Sequence, residues 1–158
     1  MNVTIRPADS PEFEKYGQVI KVPVSEPTAD TDNFKYWKQQ ALLSVDGPVE
    51  IGVLNVRKHE IRLSQMERHD HTPEILVGLD GAFIVTVAAS STEKPVAGDV
   101  EAFRVEKGQA VYFNTNCWHW APCPVDDANI TILVIFKDNT SQTDLIIEDL
   151  DEECIVVD

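Results

Sequence analysis

Short apolar runs broken by turn residues set the pattern of this chain. From Ile51 onward, IGVLNV ends at Arg57, and EIRLSQME alternates Ile61, Leu63 and Gln65 against Arg62 and Ser64. A period of two belongs to a half-buried strand. Apolar runs follow over 74–79 and 82–89, divided by Asp80-Gly81, a dipeptide that favours a tight hairpin. Further strands are predicted over 100–105, 110–113 and 129–136, with a loop holding Pro95 over 93–98. Nearer the start, Asp9 or Ser10 caps a short turn with Pro11 just inside it, and Gly17 releases a strand over 18–22. The proline- and acid-rich stretch 23–32 reads as a surface loop.

No segment holds a long helical period. Many short strands at regular spacing, without alternating helices, predict an all-β, single-domain antiparallel barrel or sandwich. Within it, residues 1–50 supply a turn, a strand and loops, 51–136 form the barrel core, and 137–158 are an acidic C-terminal segment.

Composition narrows the partners. A chain of 158 residues buries about 70% of its unfolded surface as one domain, so it needs no disulfide or structural metal to fold. A net charge of −14 leaves no basic face for nucleic acid or an anionic membrane. Much of the excess lies in Glu148, Asp149, Asp151, Glu152, Glu153 and Asp158, which read as a solvated tail. No basic stretch precedes an apolar one near the N-terminus, and no apolar run nears the roughly 20 residues of a membrane helix. The expected location is the cytoplasm, where Cys117, Cys123 and Cys154 stay reduced.

Three of the four histidines fall in two short segments. In His69-Asp70-His71-Thr72-Pro73-Glu74, residues i and i+2 of a strand share a face. His69, His71 and, by the same parity, Glu67 then project together, and Pro73 breaks the ladder so that Glu74 turns back. In the second segment, a strand from Gly108 ends in a turn over 114–116 and returns His119. His69, His71, Glu74 and His119 so arranged form a nitrogen–oxygen cage suited to a divalent ion such as Zn, Ni, Fe or Mn. Glu67, His69 and His119 are the candidate acid–base groups. Arg57, Arg68 and Tyr112 are the candidate substrate contacts, since guanidinium holds a carboxylate bidentately. The plainer alternatives are exposed histidines on a polar strand, a core-packed His119 between Trp118 and Trp120, a surface Arg68, and a Tyr112 that packs the barrel wall. His59 reads as an exposed loop residue.

These segments resemble the two motifs of the cupin family. The first motif runs from a His-x-His pair through a glutamate to a glycine, and Glu74 to Gly81 keeps its spacing, although only Thr72 and Pro73 separate His71 from Glu74. The second keeps its span from Gly108 to His119, with Asn114 and Asn116 at its proline and glycine places. The resemblance implies a cupin-type β-barrel (jelly roll) with few short helices, paired as a homodimer. Phe13-x-x-Tyr16-Gly17-x-Val19-Ile20, Glu67-Arg68-His69 and Trp118-His119-x-x-Pro122 are similar, over most of the chain, to the ureidoglycolate lyase family of cupins. That family splits ureidoglycolate into glyoxylate and urea, which implies a carbon–nitrogen lyase acting on a small carboxylate. The chain departs from the family pattern at Trp120 (commonly histidine), Glu74 (commonly glutamine) and His71 (commonly not histidine). Those departures leave two other readings. One is a metal-dependent cupin isomerase or oxygenase of a small carbonyl or hydroxy compound, and the other is a non-catalytic cupin that binds a small acid.

Overall fold

The computed structural model describes residues 1–158. Its strands are β1 (Asn2–Pro7), β2 (Gly17–Ile20), β3 (Ala29–Asp30), β4 (Lys35–Tyr36), β5 (Val49–Arg57), β6 (Arg62–Arg68), β7 (Glu74–Gly78), β8 (Phe83–Ala88), β9 (Glu101–Val105), β10 (Ala110–Phe113), β11 (Trp118–Pro124), β12 (Asn129–Lys137) and β13 (Ile146–Val157). The one α-helix is the four-residue turn Thr140–Thr143. No helix is long and apolar enough to cross a membrane. The fold is the all-β barrel expected from the strand pattern, of the cupin type that the motif resemblance implies.

Six strands close a ring in the order β1-β13-β6-β11-β8-β9, and a five-stranded sheet, β2-β10-β7-β12-β5, packs beside it. Every strand of the ring contributes to one apolar cluster that includes Val3, Leu63, Met66, Ile84, Ala102, Trp118, Leu150 and Cys154. A second cluster joins Phe83, Val85 and Phe103 of the ring to Leu76, Phe113, Ile130 and Ile132 of the sheet. Alternation along a strand lets β8 and β9 feed both: Ile84 faces into the ring while its neighbours Phe83 and Val85 face the sheet. Phe13 wedges into the second cluster with its ring edge-on to Phe103, centroids 5.2 Å apart.

Three expectations need correction. The ring is not wholly antiparallel, because β1 runs parallel to both β13 and β9. The Asp80-Gly81 turn does not make a hairpin: β7 pairs with β10 and β12, whereas β8 pairs with β9 and β11. The turn instead carries the chain from one layer to the other, and a Cβ on Gly81 would stand 2.5 Å from Ile130 Cγ2, so the glycine serves a close approach. Finally, the acidic C-terminal segment is no tail. It forms the twelve-residue β13, which hydrogen-bonds to β6 on one side and β1 on the other. Glu148, Asp149, Asp151, Glu152 and Glu153 remain exposed as expected, while Leu150 and Cys154 are buried in the ring.

Candidate functional site

Neighbouring strands bring the first two site residues together. His119 on β11 lies directly opposite Glu67 on β6. Trp118 points into the ring, so His119 points the other way, toward the five-stranded sheet, where its ring stacks on Phe113 of β10 at 5.0 Å between centroids. Glu74 opens β7 and lies opposite Phe113. His69 follows β6 in a short loop, with its ring 5.1 Å from that of His119 and edge-on to Phe136. The four side chains therefore meet between the ring and the sheet, not inside the closed ring.

Both imidazoles are buried and oriented by the main chain. His69 Nδ1 lies 2.8 Å from the Asp144 carbonyl oxygen, and His119 Nδ1 lies 2.9 Å from that of Cys117. A carbonyl only accepts, so each Nδ1 carries the proton and donates it. Each Nε2 is then bare in the neutral ring. Both Nε2 atoms converge on one oxygen, Glu74 Oε2, at 3.0 Å from His69 and 3.3 Å from His119. Glu67 Oε1 stands 3.7 Å from His119 Nε2, which is buried without a hydrogen-bond partner. A lone pair facing a carboxylate requires a cation between them, either a proton or a metal ion.

The donor set fits a divalent metal. Ligand atoms of Glu67, His69 and His119 lie within 4.8 Å of one another, and Glu74 sits against both imidazoles. Atoms sharing one ion at about 2.1 Å stand roughly 3–4 Å apart, a range that Glu74 Oε2 meets with both Nε2 atoms at 3.0 and 3.3 Å and that the 4.8 Å span to Glu67 exceeds. Metal-binding histidines characteristically give their other N–H to a carbonyl or carboxylate, as both do here.

Charge balance sets the protonation of the metal-free protein. Burial pushes Glu74 up, but the positive charge of His119, then that of His69, outweighs it and holds the carboxyl at about 2. Burial pulls His119 down, yet the charge of Glu74 outweighs that and raises it to about 9. Burial raises Glu67 above the usual carboxylate range, with His119 only partly opposing. These shifts carry a sign for stability. The depressed Glu74 stabilises the fold above its unfolded value of 4.5 and loses that contribution as pH falls toward 2. The raised His119 stabilises it below its unfolded value of 6.5 and loses that contribution as pH climbs through 9. The metal-free protein is therefore expected to melt at progressively lower temperature from pH 6.5 to 9. Metal affinity should rise over the same range, because the ion replaces the His119 proton. Calorimetric scans with and without Zn²⁺ check both slopes, and a metal-free melting temperature that stays level or rises would contradict the assignment.

A cavity of about 230 Å³ opens onto the four residues. Its walls are largely apolar, with Leu54, Leu76, Val134, Phe136 and Leu145 among them, and Ser141 and Trp120 at other points. No arginine or lysine lines it.

That lining corrects four expectations. His71 is not in the cage: β6 ends at Arg68, so alternation does not apply to the loop beyond it, and His71 is 72% exposed with Nδ1 on Asp144. Arg57 ends β5 exposed and away from the cavity. Tyr112 neighbours the inward Phe113 and so faces the opposite side of its sheet. Arg68 is neither a surface residue nor a cavity contact; it is buried, donates to Asn116 Oδ1 at 2.7 Å, pairs with Asp70 and lies over the Trp118 ring. Asn116 adopts a left-handed φ of 64°, which asparagine tolerates, and its N–H holds the His69 carbonyl at 2.9 Å. Sequence reasoning did not find Asp144, whose carbonyl fixes His69 from 75 positions away.

The family model for ureidoglycolate lyase matches residues 1–157. The chain belongs to the ureidoglycolate lyase family. No curated protein matches the sequence. Among solved structures, two mutant forms of Bacillus subtilis oxalate decarboxylase are similar at 17% and 19% identity, with TM-scores of 0.45 and 0.46. Each match covers 65% of this chain and 24% of the other, so the chain spans about a quarter of the length of those structures. Likeness at this level assigns no activity.

Proposed function

We propose that this chain is a carbon–nitrogen lyase that splits ureidoglycolate, or a closely related ureido hydroxy acid, into glyoxylate and urea. One observation carries the reading. Two buried imidazoles, each with Nδ1 held by a main-chain carbonyl and Nε2 turned inward, meet two glutamates in a cavity that offers a carboxylate substrate no arginine or lysine. His69, Glu74 and His119 are the residues that would hold a divalent ion, with Glu67 beside it. When bound, it would supply the positive charge that anchors the substrate's carboxylate and polarises its hydroxyl.

The reaction itself needs only one proton moved. The carbinol O–H loses its proton, the oxygen lone pair forms the aldehyde C=O, and the C–N bond breaks with its electrons going to nitrogen. That nitrogen takes the proton and leaves as urea, so atoms and charge balance without oxidant or water. Glu67 suits the transfer, since burial raises its affinity for a proton and brings it nearer neutral pH, where a group serves both as base and as acid. His69 and Glu74 orient each other, and the apolar walls limit water at the reacting carbon.

The test is to incubate purified protein with ureidoglycolate and divalent metal and follow glyoxylate. Glyoxylate formation well above the uncatalysed rate, lost in His119→Ala, is the expected result; none above background would overturn the assignment. The mostly apolar wall favours a second reading, a metal-dependent isomerase or oxygenase whose substrate carries an apolar group. Turnover of such a carbonyl compound, with ureidoglycolate untouched, would select it.

A further inference from the structure

Asp144 reaches the site from behind it. It follows the short helical turn Thr140–Thr143, between Ser141 and Leu145, both of which line the cavity. Its buried carboxylate accepts three hydrogen bonds: from the Asp70 N–H at 2.9 Å, the His71 N–H at 2.8 Å and His71 Nδ1 at 2.9 Å. Its own carbonyl accepts the proton of His69 Nδ1 at 2.8 Å. One residue thus grips the loop beyond His69 with its side chain and the imidazole with its main chain.

We infer that Asp144 is a positioning residue that fixes the ring orientation of His69 by holding its Nδ1 proton, so that Nε2 is aimed at Glu74. This rests on the metal-holding reading given above. Any residue at this position would offer a carbonyl. What aspartate adds is the tether, which sets where that carbonyl lies relative to His69. Residues 69–73 belong to no strand; the Asn116 N–H holds the His69 carbonyl, Arg68 pairs with Asp70, and Thr72 Oγ1 accepts from the Lys137 N–H. Without the carboxylate, the adjacent Asp70 and His71 N–H groups lose their acceptor and the segment loses its tie to residue 144. A ring whose Nδ1 partner moves loses its fixed orientation. His71 gains a role as well. Its exposed ring closes over the carboxylate from the solvent side, which accounts for a histidine here that does not face the cavity.

The test uses the full chain and three variants, Asp144→Ala, Asp144→Asn and His71→Ala, with two readouts. The first is the imidazole ¹⁵N spectrum of the metal-free protein near neutral to mildly alkaline pH. Wild type is expected to show the His69 Nδ1–H as a hydrogen-bonded, slowly exchanging signal and Asp144→Ala to lose it, with Asp144→Asn in between because it retains one acceptor oxygen. The second is affinity for Zn²⁺, measured by competition with a chromophoric chelator. Loss of such an outer partner weakens metal binding about 10- to 100-fold, and that loss is expected for Asp144→Ala. His71→Ala, which keeps both backbone donors, should stay near wild type in both. Folded Asp144 variants that keep the hydrogen-bonded Nδ1–H signal and the wild-type affinity would overturn the proposal, and if Asp144→Ala fails to fold, Asp144→Asn decides alone. A wild type that binds no Zn²⁺ would instead sink the metal reading, and the imidazole spectra would still decide the role of Asp144.

Discussion

Glu67→Gln is expected to lower kcat for ureidoglycolate by about 10²- to 10⁴-fold while leaving KM within a few-fold, the usual cost of losing a positioned acid–base group. Glutamine keeps the size of the side chain and its place opposite His119 on the neighbouring strand, but it cannot take up and return a proton. Measured with divalent metal in excess, the variant separates proton transfer from ligation. Its pH–rate profile supplies a second check. Loss of a proton from Glu67 sets the acidic limb in the wild type. The limb should vanish in the glutamine variant. A variant with wild-type kcat, or with an unchanged acidic limb, would show that the proton moves elsewhere.

His119→Ala is expected to destabilise the metal-free protein by about 3–5 kcal/mol, the range seen when one member of a buried ion pair is removed. For a chain of this length that corresponds to a fall of roughly 6–20 °C in melting temperature. The loss has two parts. Glu74 is left as a buried carboxylate without its principal partner, and the space beside Phe113 that the imidazole filled becomes a cavity. The double variant His119→Ala/Glu74→Gln divides them, because a neutral amide tolerates burial better than a lone carboxylate. It should be more stable than His119→Ala alone, with the remaining deficit due to the cavity. If the second substitution recovers nothing, coupling between the two residues is not what stabilises the site.

The strand pattern is legible because β7, β8 and β12 combine β-branched and apolar residues, β6 alternates Leu63 against Arg62 and Ser64, and clear turn residues lie between them. Spacing also placed Glu67, His69, Glu74 and His119 in the two segments that converge. What failed had local causes. His71 was assigned a face by strand alternation, but the strand stops at Arg68 and the next residues loop out toward Asp144. The C-terminal strand hid because its acids mask a sparse apolar signal. Leu150 and Cys154 are its fully buried apolar residues, and a register shift between Asp149 and Cys154 breaks the alternation. Arg68 looked outward by parity, yet it is drawn into an ion pair with Asp70 and a stack on Trp118. The Asp144 contact joins distant positions, and no local period encodes it. The layer in which the centre lies followed from which strands pair, and the sequence between Gly78 and Phe83 does not say whether the chain returns beside itself or crosses to the other layer.

In the proposed centre, side chains from β7, β11 and the loop after β6 converge to hold a single divalent ion. Elemental analysis of untagged protein purified without chelator, with His69→Ala alongside, is the most direct test. About one divalent ion per wild-type chain is expected, with little or none in the variant. Wild-type protein that carries no ion, acquires none on incubation with Zn²⁺ or Mn²⁺, and still turns over ureidoglycolate at full rate would contradict the proposed centre.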